Sequence, residues 1–217
     1  LERRPVDKIA IIHITADRGL CGGLNTNLNR KTSGFVLEQT VPSILITVGR
    51  KGRDFMLRYG QTVLAEFTGL GDRPGILDIS PIAHIVMDEY TSQRVDLVYL
   101  AYPQFVTTMT QRPVLQQLLP IEPASLPPKQ NVEYIFEPHP QFVLEQLLPR
   151  FVEMEIYHAV LETIASEQSA RMVAMRNATE NAKDIVEDLT LAYNKARQEM
   201  ITKELLDMTG AAAALGQ

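Results

Sequence analysis

The residues best able to do chemistry in this 217-residue chain lie in Thr15-Ala-Asp-Arg-Gly-Leu-Cys-Gly-Gly-Leu-Asn25, a glycine-dense loop between a strand pattern and a helix pattern. In a doubly wound sheet such a loop sits where backbone N–H groups cradle phosphate. Its glycines, Gly19, Gly22 and Gly23, fit neither the dinucleotide spacing nor a P-loop, because no Gly-Lys-Ser/Thr follows. Cys21 could be a nucleophile at a helix N-terminus, where a thiolate is favoured. Position 27, where an arginine would have to grip the phosphate, holds Asn27, and Arg30 is misplaced. A small buried residue in a tight turn is the simpler reading of Cys21. As the only cysteine it forms no intrachain disulfide and no cysteine-based zinc site, a usage that fits a reducing compartment. His13, His84, His139 and His158 are scattered, with no pair at ligand spacing. His13 falls inside a strand pattern and reads as a hydrogen-bonded core residue. The expectation is therefore a nucleotide-binding frame without catalytic, cofactor or metal residues.

Composition narrows the class further. A formal net charge of -5 argues against a nucleic-acid binder, whose footprint would be basic. Hydrophobic residues at 45% supply a sizeable core, and charged residues at 22% are ordinary for a globular chain. The most apolar runs, Ile9 to Ile14 and Pro42 to Val48, are core strands in length and far short of the ~20 residues of a membrane span. No direct membrane insertion is expected.

The elements that must hold the loop alternate. Lys8 to Thr15 is rich in β-branched residues and nearly continuous in hydrophobicity, as expected of a strand buried on both faces. Asn25 to Gln39 reads as a helix, Ser43 to Val48 as a strand, Gly49 to Tyr59 as a short helix and Thr62 to Phe67 as a strand. Ile76 to Ser92 reads as a helix with Pro81 in its first turn, and Asp96 to Ala101 as a strand. Phe105 to Pro120 reads as an antiparallel excursion at one edge. Such alternation predicts an α/β layered domain with a mostly parallel sheet over residues 1–140. Its proline-rich end, Pro120 to Pro140, contains one strand candidate, Val132 to Phe136.

Residues 141–217 are of another kind. One proline, Pro149, and one glycine, Gly210, interrupt helix formers as far as about Leu215. A continuous helix from Pro149 would span on the order of 100 Å at ~1.5 Å per residue, so it is expected to project from the domain. Met154, Tyr157, Leu161, Ile164, Gln168, Arg171, Met175, Ala178, Ala182, Ile185, Leu189, Ala192 and Ala196 repeat at alternating three and four residues, the seam of a left-handed coiled coil. Its alanines permit close approach of a second helix, and the polar Gln168 and Arg171 could set register or partner. Beyond Ala196 the spacing fails, and Met200, Ile201, Leu205 and Met208 form a different stripe.

Two segments carry a family resemblance. Asp17-Arg-Gly-Leu-Cys-Gly-Gly-Leu-Asn25 resembles the loop after the first strand of gamma subunits of F-type ATP synthases. Ala170 to Ala182, Leu189 to Gln198 and Ile201 to Leu205 resemble that family's C-terminal helix almost letter by letter. The resemblance implies a Rossmann-like domain flanked by two long helices wound into an antiparallel coiled coil. It implies a rotating central stalk without catalytic site or cofactor, turning inside the hexamer of alpha and beta subunits and joined to the epsilon subunit and the ring of membrane c subunits. It assigns Arg197 and Gln198 to contact with a beta-subunit loop, and Met208 to Leu215 to a tip in an apolar sleeve.

The resemblance also implies a place on the cytoplasmic face of a bacterial plasma membrane. Gln104 to Gln130 runs straight through the region where the chloroplast type carries a cysteine pair, so a bacterial type without thiol control is expected. The chain opens on Leu1-Glu2-Arg3-Arg4-Pro5, which reads as a start just before the first strand, without the family's N-terminal helix. A chain in that state is expected to pair with a second copy along the seam, an arrangement foreign to the assembled complex. Two other readings stand beside the stalk: an α/β nucleotide- or phosphate-binding enzyme using Asp17 to Asn25, and a coiled-coil adaptor with an α/β head.

Overall fold

The computed structural model describes residues 4–121, 137 and 139–215. Five strands, β1 (Ile9–Ile14), β2 (Ser43–Val48), β3 (Val63–Phe67), β4 (Leu97–Thr107) and β5 (Thr110–Leu119), form one sheet in the order β3-β2-β1-β4-β5. β1 pairs in parallel with β2 and β4, and β3 in parallel with β2. β5 returns antiparallel to β4 at the edge. The helices are α1 (Leu24–Glu38), α2 (Arg50–Arg58), α3 (Ile76–Thr91) and α4 (Pro140–Leu215). This is the α/β fold that the alternation of patterns predicts, with the late strand as the antiparallel addition. The strand candidate Val132 to Phe136 lies outside the described residues.

Both faces of the sheet are covered, which is why β1 carries no polar alternation and is buried at every position. Ala10, Ile12, Ile14, Ile44, Ile46, Val48, Val98 and Leu100 face one cluster with Ile79, Ile82, Ala83 and Val86 of α3 and Val152, Ile156, Ala159 and Val160 of α4. Ile9, Ile11, Leu45 and Ala101 face the other with Leu28 of α1 and Met56 of α2. The period of two along each strand divides the residues between the two cores.

α3 begins at Ile76 as the pattern predicts, but Pro81 is its sixth residue and so falls in the second turn, not the first. Its missing N–H leaves the carbonyl of Leu77 without a helical partner. Leu77 itself is 83% exposed. α4 begins at Pro140, ahead of Pro149, and continues to Leu215 without a break. By backbone contacts the chain forms two compact units, Leu1–Val173 and Ala174–Gln217, and α4 contributes to both.

Candidate functional site: the loop after β1 and the long helix

The strand order reverses between β1 and β4, so the crevice at their C-terminal ends is where a doubly wound fold would hold a ligand. Here α4 lies across it. Glu162 Oε2 accepts the Phe105 N–H at 3.1 Å, Ser166 Oγ donates to the Pro103 carbonyl at 2.9 Å, and Ser169 Oγ donates to the Thr108 carbonyl at 2.8 Å. Beside the crevice remains a cavity of about 200 Å³, lined by Thr15, Asp17, Gly49, Gly69, Thr163 and Glu167 among others.

Asp17 and Asn25 of the signature loop turn inward to the protein. The Asp17 carboxylate accepts the Arg50 N–H at 2.9 Å and the Gly69 N–H at 2.8 Å, and lies 3.7 Å from Arg50 Nε. A carboxylate of the chain itself thus sits at the N-terminus of α2, the place an anionic ligand would take. Asn25 Oδ1 accepts the Ala16 N–H at 3.1 Å, and Thr15 Oγ1 accepts the Gly52 N–H at 2.8 Å. The chain passes so close here that a Cβ on Gly49 would stand 2.0 Å from the Thr15 carbonyl oxygen, and Gly49 also has φ 96°. Leu20 and Gly22 turn the loop through the left-handed region, at φ 63° and 59°. Leu20 is exposed at that bend, and Arg18 is exposed as well, while Gly19 gives its carbonyl to Arg171. Gly23 N-caps α1 without a side chain, so nothing but backbone marks that helix start.

Cys21 is 2% exposed. Its sulfur accepts Asn25 Nδ2–H at 3.3 Å. Burial pushes the thiol above its ordinary range, the Glu167 carboxylate adds to this, and the Arg171 guanidinium opposes it. That is the reverse of the electropositive, partly open setting that activates a nucleophile. His13 is fully buried between Asn29 Oδ1 at 2.8 Å and Thr32 Oγ1 at 3.2 Å, and burial lowers its pKa to about 4. Among the described residues no cluster of His, Cys, Asp and Glu could hold a metal ion.

On α4 the seam and the head-facing stripe are different faces. Val152, Ile156, Ala159, Val160, Thr163, Ser166 and Glu167 are buried. At ~100° per residue, Leu161 and Gln168 point well over a right angle away from that stripe. Leu161 is exposed, and Ile164 and Tyr157 are half-buried at the edge of the core. The polar seam residue Arg171 has partners within the chain, the Glu167 carboxylate and the Gly19 carbonyl. The sequence pattern placed Arg171 in the seam but gave no signal of this tie to the loop. In the second unit every residue from 175 to 211 is exposed, including Met175, Ala178, Ala182, Ile185, Leu189, Ala192 and Ala196. Arg197 and Gln198 follow the seam position Ala196 by one and two residues, which turns both away from the seam.

A protein-family profile described as ATP synthase matches residues 1–215. The ATP synthase gamma chain of Dehalococcoides mccartyi is 64% identical over 215 residues, covering 99% of this chain and 75% of the relative. That of Roseiflexus castenholzii is 52% identical over 223 residues, covering 100% and 76%. Among solved structures, a chain of the Euglena gracilis mitochondrial ATP synthase (OSCP/F1/c-ring, rotational state 3) matches with a TM-score of 0.71 at 20% identity, covering 97% of this chain and 73% of that one. A chain of the Tetrahymena thermophila mitochondrial ATP synthase central stalk/c-ring matches at 0.65 with 23% identity, covering 82% and 79%. The structural likeness shows the fold, and the sequence identity over nearly the whole chain shows the family: this chain belongs to the ATP synthase gamma chains.

Proposed function

We infer that the chain is the central-stalk subunit of a rotary ATP synthase, a shaft that couples ion-driven rotation to ATP synthesis or hydrolysis and performs no catalysis itself. One combination carries the reading, in a chain of the gamma family. Across the ligand crevice of its doubly wound head lies its own last helix, bonded to the end of β4, and that helix continues with an exposed heptad spacing. Residues 1–140 form the head, and residues 141–217 form half of a coiled coil. The seam takes a second helix, which the family resemblance supplies from the N-terminal side of the head.

The hexamer that the shaft turns in is formed by alpha and beta subunits, and the epsilon subunit and the c ring bind its foot. Rotation selects among beta-subunit conformations through the different contacts made at each angle. Arg197 and Gln198 face outward from the seam and supply hydrogen-bond donors to a beta-subunit loop. Among the described residues no helix is long and apolar enough to cross a membrane. Attachment at the cytoplasmic face of a bacterial plasma membrane therefore runs through partners.

The test is reconstitution of the subunit, at the full length of its relatives, with alpha and beta subunits. ATP-driven rotation of a bead on the head is expected. Arg197→Ala with Gln198→Ala should lower turnover roughly tenfold, corresponding to about 1.4 kcal/mol at the barrier. Undiminished turnover in that double variant would remove the assigned contact, and failure to assemble would remove the stalk reading. Calorimetric titration with ADP and ATP separates the enzyme alternative, since the isolated chain is expected to bind neither.

A further inference from the structure

We propose that two polar flanks set the register of α4 against the head: Glu162, Ser166 and Ser169 on one side, Glu167 with Arg171 on the other. They act as positioning residues for the shaft, a role that rests on the stalk reading, whereas the register itself does not. All five belong to the first unit. Apolar packing holds α4 in its earlier turns, through Val152, Ile156, Ala159 and Val160. Past Val160 no apolar side chain of α4 is buried among the described residues, and Ile164 is half-buried. The buried positions there are Thr163, Ser166 and Glu167. Thr163 gives its hydroxyl to the Ala159 carbonyl of its own helix at 2.7 Å. The hold on these last turns is therefore chiefly hydrogen bonding, which unlike apolar contact is directional.

The first flank completes an edge of the sheet. β1 pairs with β4 only as far as Ala101, and β4 runs on to Thr107. Beyond the end of β1, the Pro103 carbonyl accepts Ser166 Oγ–H at 2.9 Å, and the Phe105 N–H goes to Glu162 Oε2 at 3.1 Å. Ser169 Oγ–H reaches the Thr108 carbonyl at 2.8 Å, in the turn between β4 and β5. Side chains of α4 thus take the place of the strand that β1 does not extend. Pro103 and Ser166 are both buried, so a shifted helix would leave backbone and hydroxyl without partners and without water.

The second flank ties α4 to the opposite wall of the crevice. Arg171 Nη2–H reaches the Gly19 carbonyl of the loop after β1 at 3.4 Å and also donates to the Glu167 carboxylate. Glu167 is 8% exposed, so the guanidinium neutralises a carboxylate that is almost out of water. Counted round the helix from Thr163 at ~100° per residue, Ser166, Glu162 and Ser169 lie ~60–120° to one side, and Glu167 and Arg171 ~40–80° to the other. The two flanks therefore straddle the head-facing line of α4, one bonded to β4 and its turn, the other to the β1 loop. A shift of the helix in either sense lifts one flank from its wall, and only one setting satisfies both.

The test uses the subunit at the full length of its relatives, spin-labelled through Met109→Cys and Ala165→Cys in a Cys21→Ser background; both labelled positions are exposed. Double electron–electron resonance on the free subunit reads the separation of α4 from the hairpin turn, and circular dichroism confirms that each variant keeps its helix. One narrow distance is expected for the parent and for Arg171→Lys. Ser166→Ala with Ser169→Ala removes one flank, and Glu167→Gln with Arg171→Met the other. Either pair alone should broaden the distance by at most about twofold, and all four together by more than the sum, roughly fourfold or above. In vesicles reconstituted with the remaining subunits, the fourfold variant should pump roughly threefold fewer ions per ATP hydrolysed, because hydrolysis falls less than transport. A distance as narrow in the fourfold variant as in the parent overturns the proposal. Broadening with an unchanged ratio, or transport and hydrolysis that fall in step, overturns the positioning role. If the parent subunit does not assemble, the stalk reading fails, while the distances on the free subunit still decide the register.

Discussion

Acid should expose the cost of burying His13. Its imidazole is fully buried, Nε2–H donates to Asn29 Oδ1 and Nδ1 accepts from Thr32 Oγ1, so the neutral ring is satisfied on both sides. Burial lowers the pKa from 6.5 to about 4, against a smaller upward pull from Asn29. The unfolded chain therefore takes up a proton at a pH where the native chain does not. Above pH ~6.5 both forms are neutral and the stability is complete. Between ~6.5 and ~4 it falls with pH, and below ~4 the native ring is charged too and the loss stops growing. At ~1.4 kcal/mol per unit of pKa, the total is about 3 kcal/mol. That is a large part of the ~5–15 kcal/mol that stabilises an ordinary domain. Urea unfolding of the wild-type chain and of His13→Gln, followed by tyrosine emission from pH 7.5 to 4, isolates this contribution from the carboxylates. The two curves of stability against pH should converge by about 3 kcal/mol on acidification. Parallel curves would show that His13 is not held neutral by burial, and the reasoning would fail.

Other outcomes follow from single contacts. Asp17→Ala removes the acceptor of the Arg50 and Gly69 N–H groups and should cost about 1–2 kcal/mol in the same urea assay. Gly52→Ala places a Cβ 2.6 Å from His13 Cδ2 and should destabilise the head by about 1–3 kcal/mol, read as a lowered melting temperature. Cys21→Ala in the full-length subunit should leave ATP synthesis and hydrolysis near normal; complete loss in an assembled complex would give the thiol a role that its burial argues against. Leu189→Asp should abolish pairing along the seam while the head keeps its native hydrogen-exchange protection, because a carboxylate there would be buried without a partner.

The fold was legible where burial is two-sided. β1 and β2 are continuous apolar runs because helices cover both faces, and that composition survives reading without any partner in view. Helix starts were harder: Gly23, Gly49 and Gly75 stand at the N-caps of α1, α2 and α3 without a capping side-chain oxygen of their own. Heptad spacing marks a candidate seam along α4, since three-four periodicity is local. The head-facing stripe of the same helix was masked, because Thr163, Ser166 and Glu167 are buried polar residues whose partners are Ala159, Pro103 and Arg171. Only the folded geometry brings Pro103 or the Gly19 carbonyl into reach. For the same reason the loop after β1 could be recognised by its letters, while the turning inward of Asp17 and Asn25 could not.

The burial of Val152, Ile156, Ala159 and Val160 in the sheet's core bears on how a twist is carried. These residues lie on the same unbroken helix as the exposed stretch 175–211, within the part of it that belongs to the first unit. Turning the helix within the head would first have to expose those side chains, at a cost of roughly 1.5–3 kcal/mol for each of the larger ones. Apolar packing has no preferred direction. A helix gripped in this way resists rotation about its own axis equally in either sense.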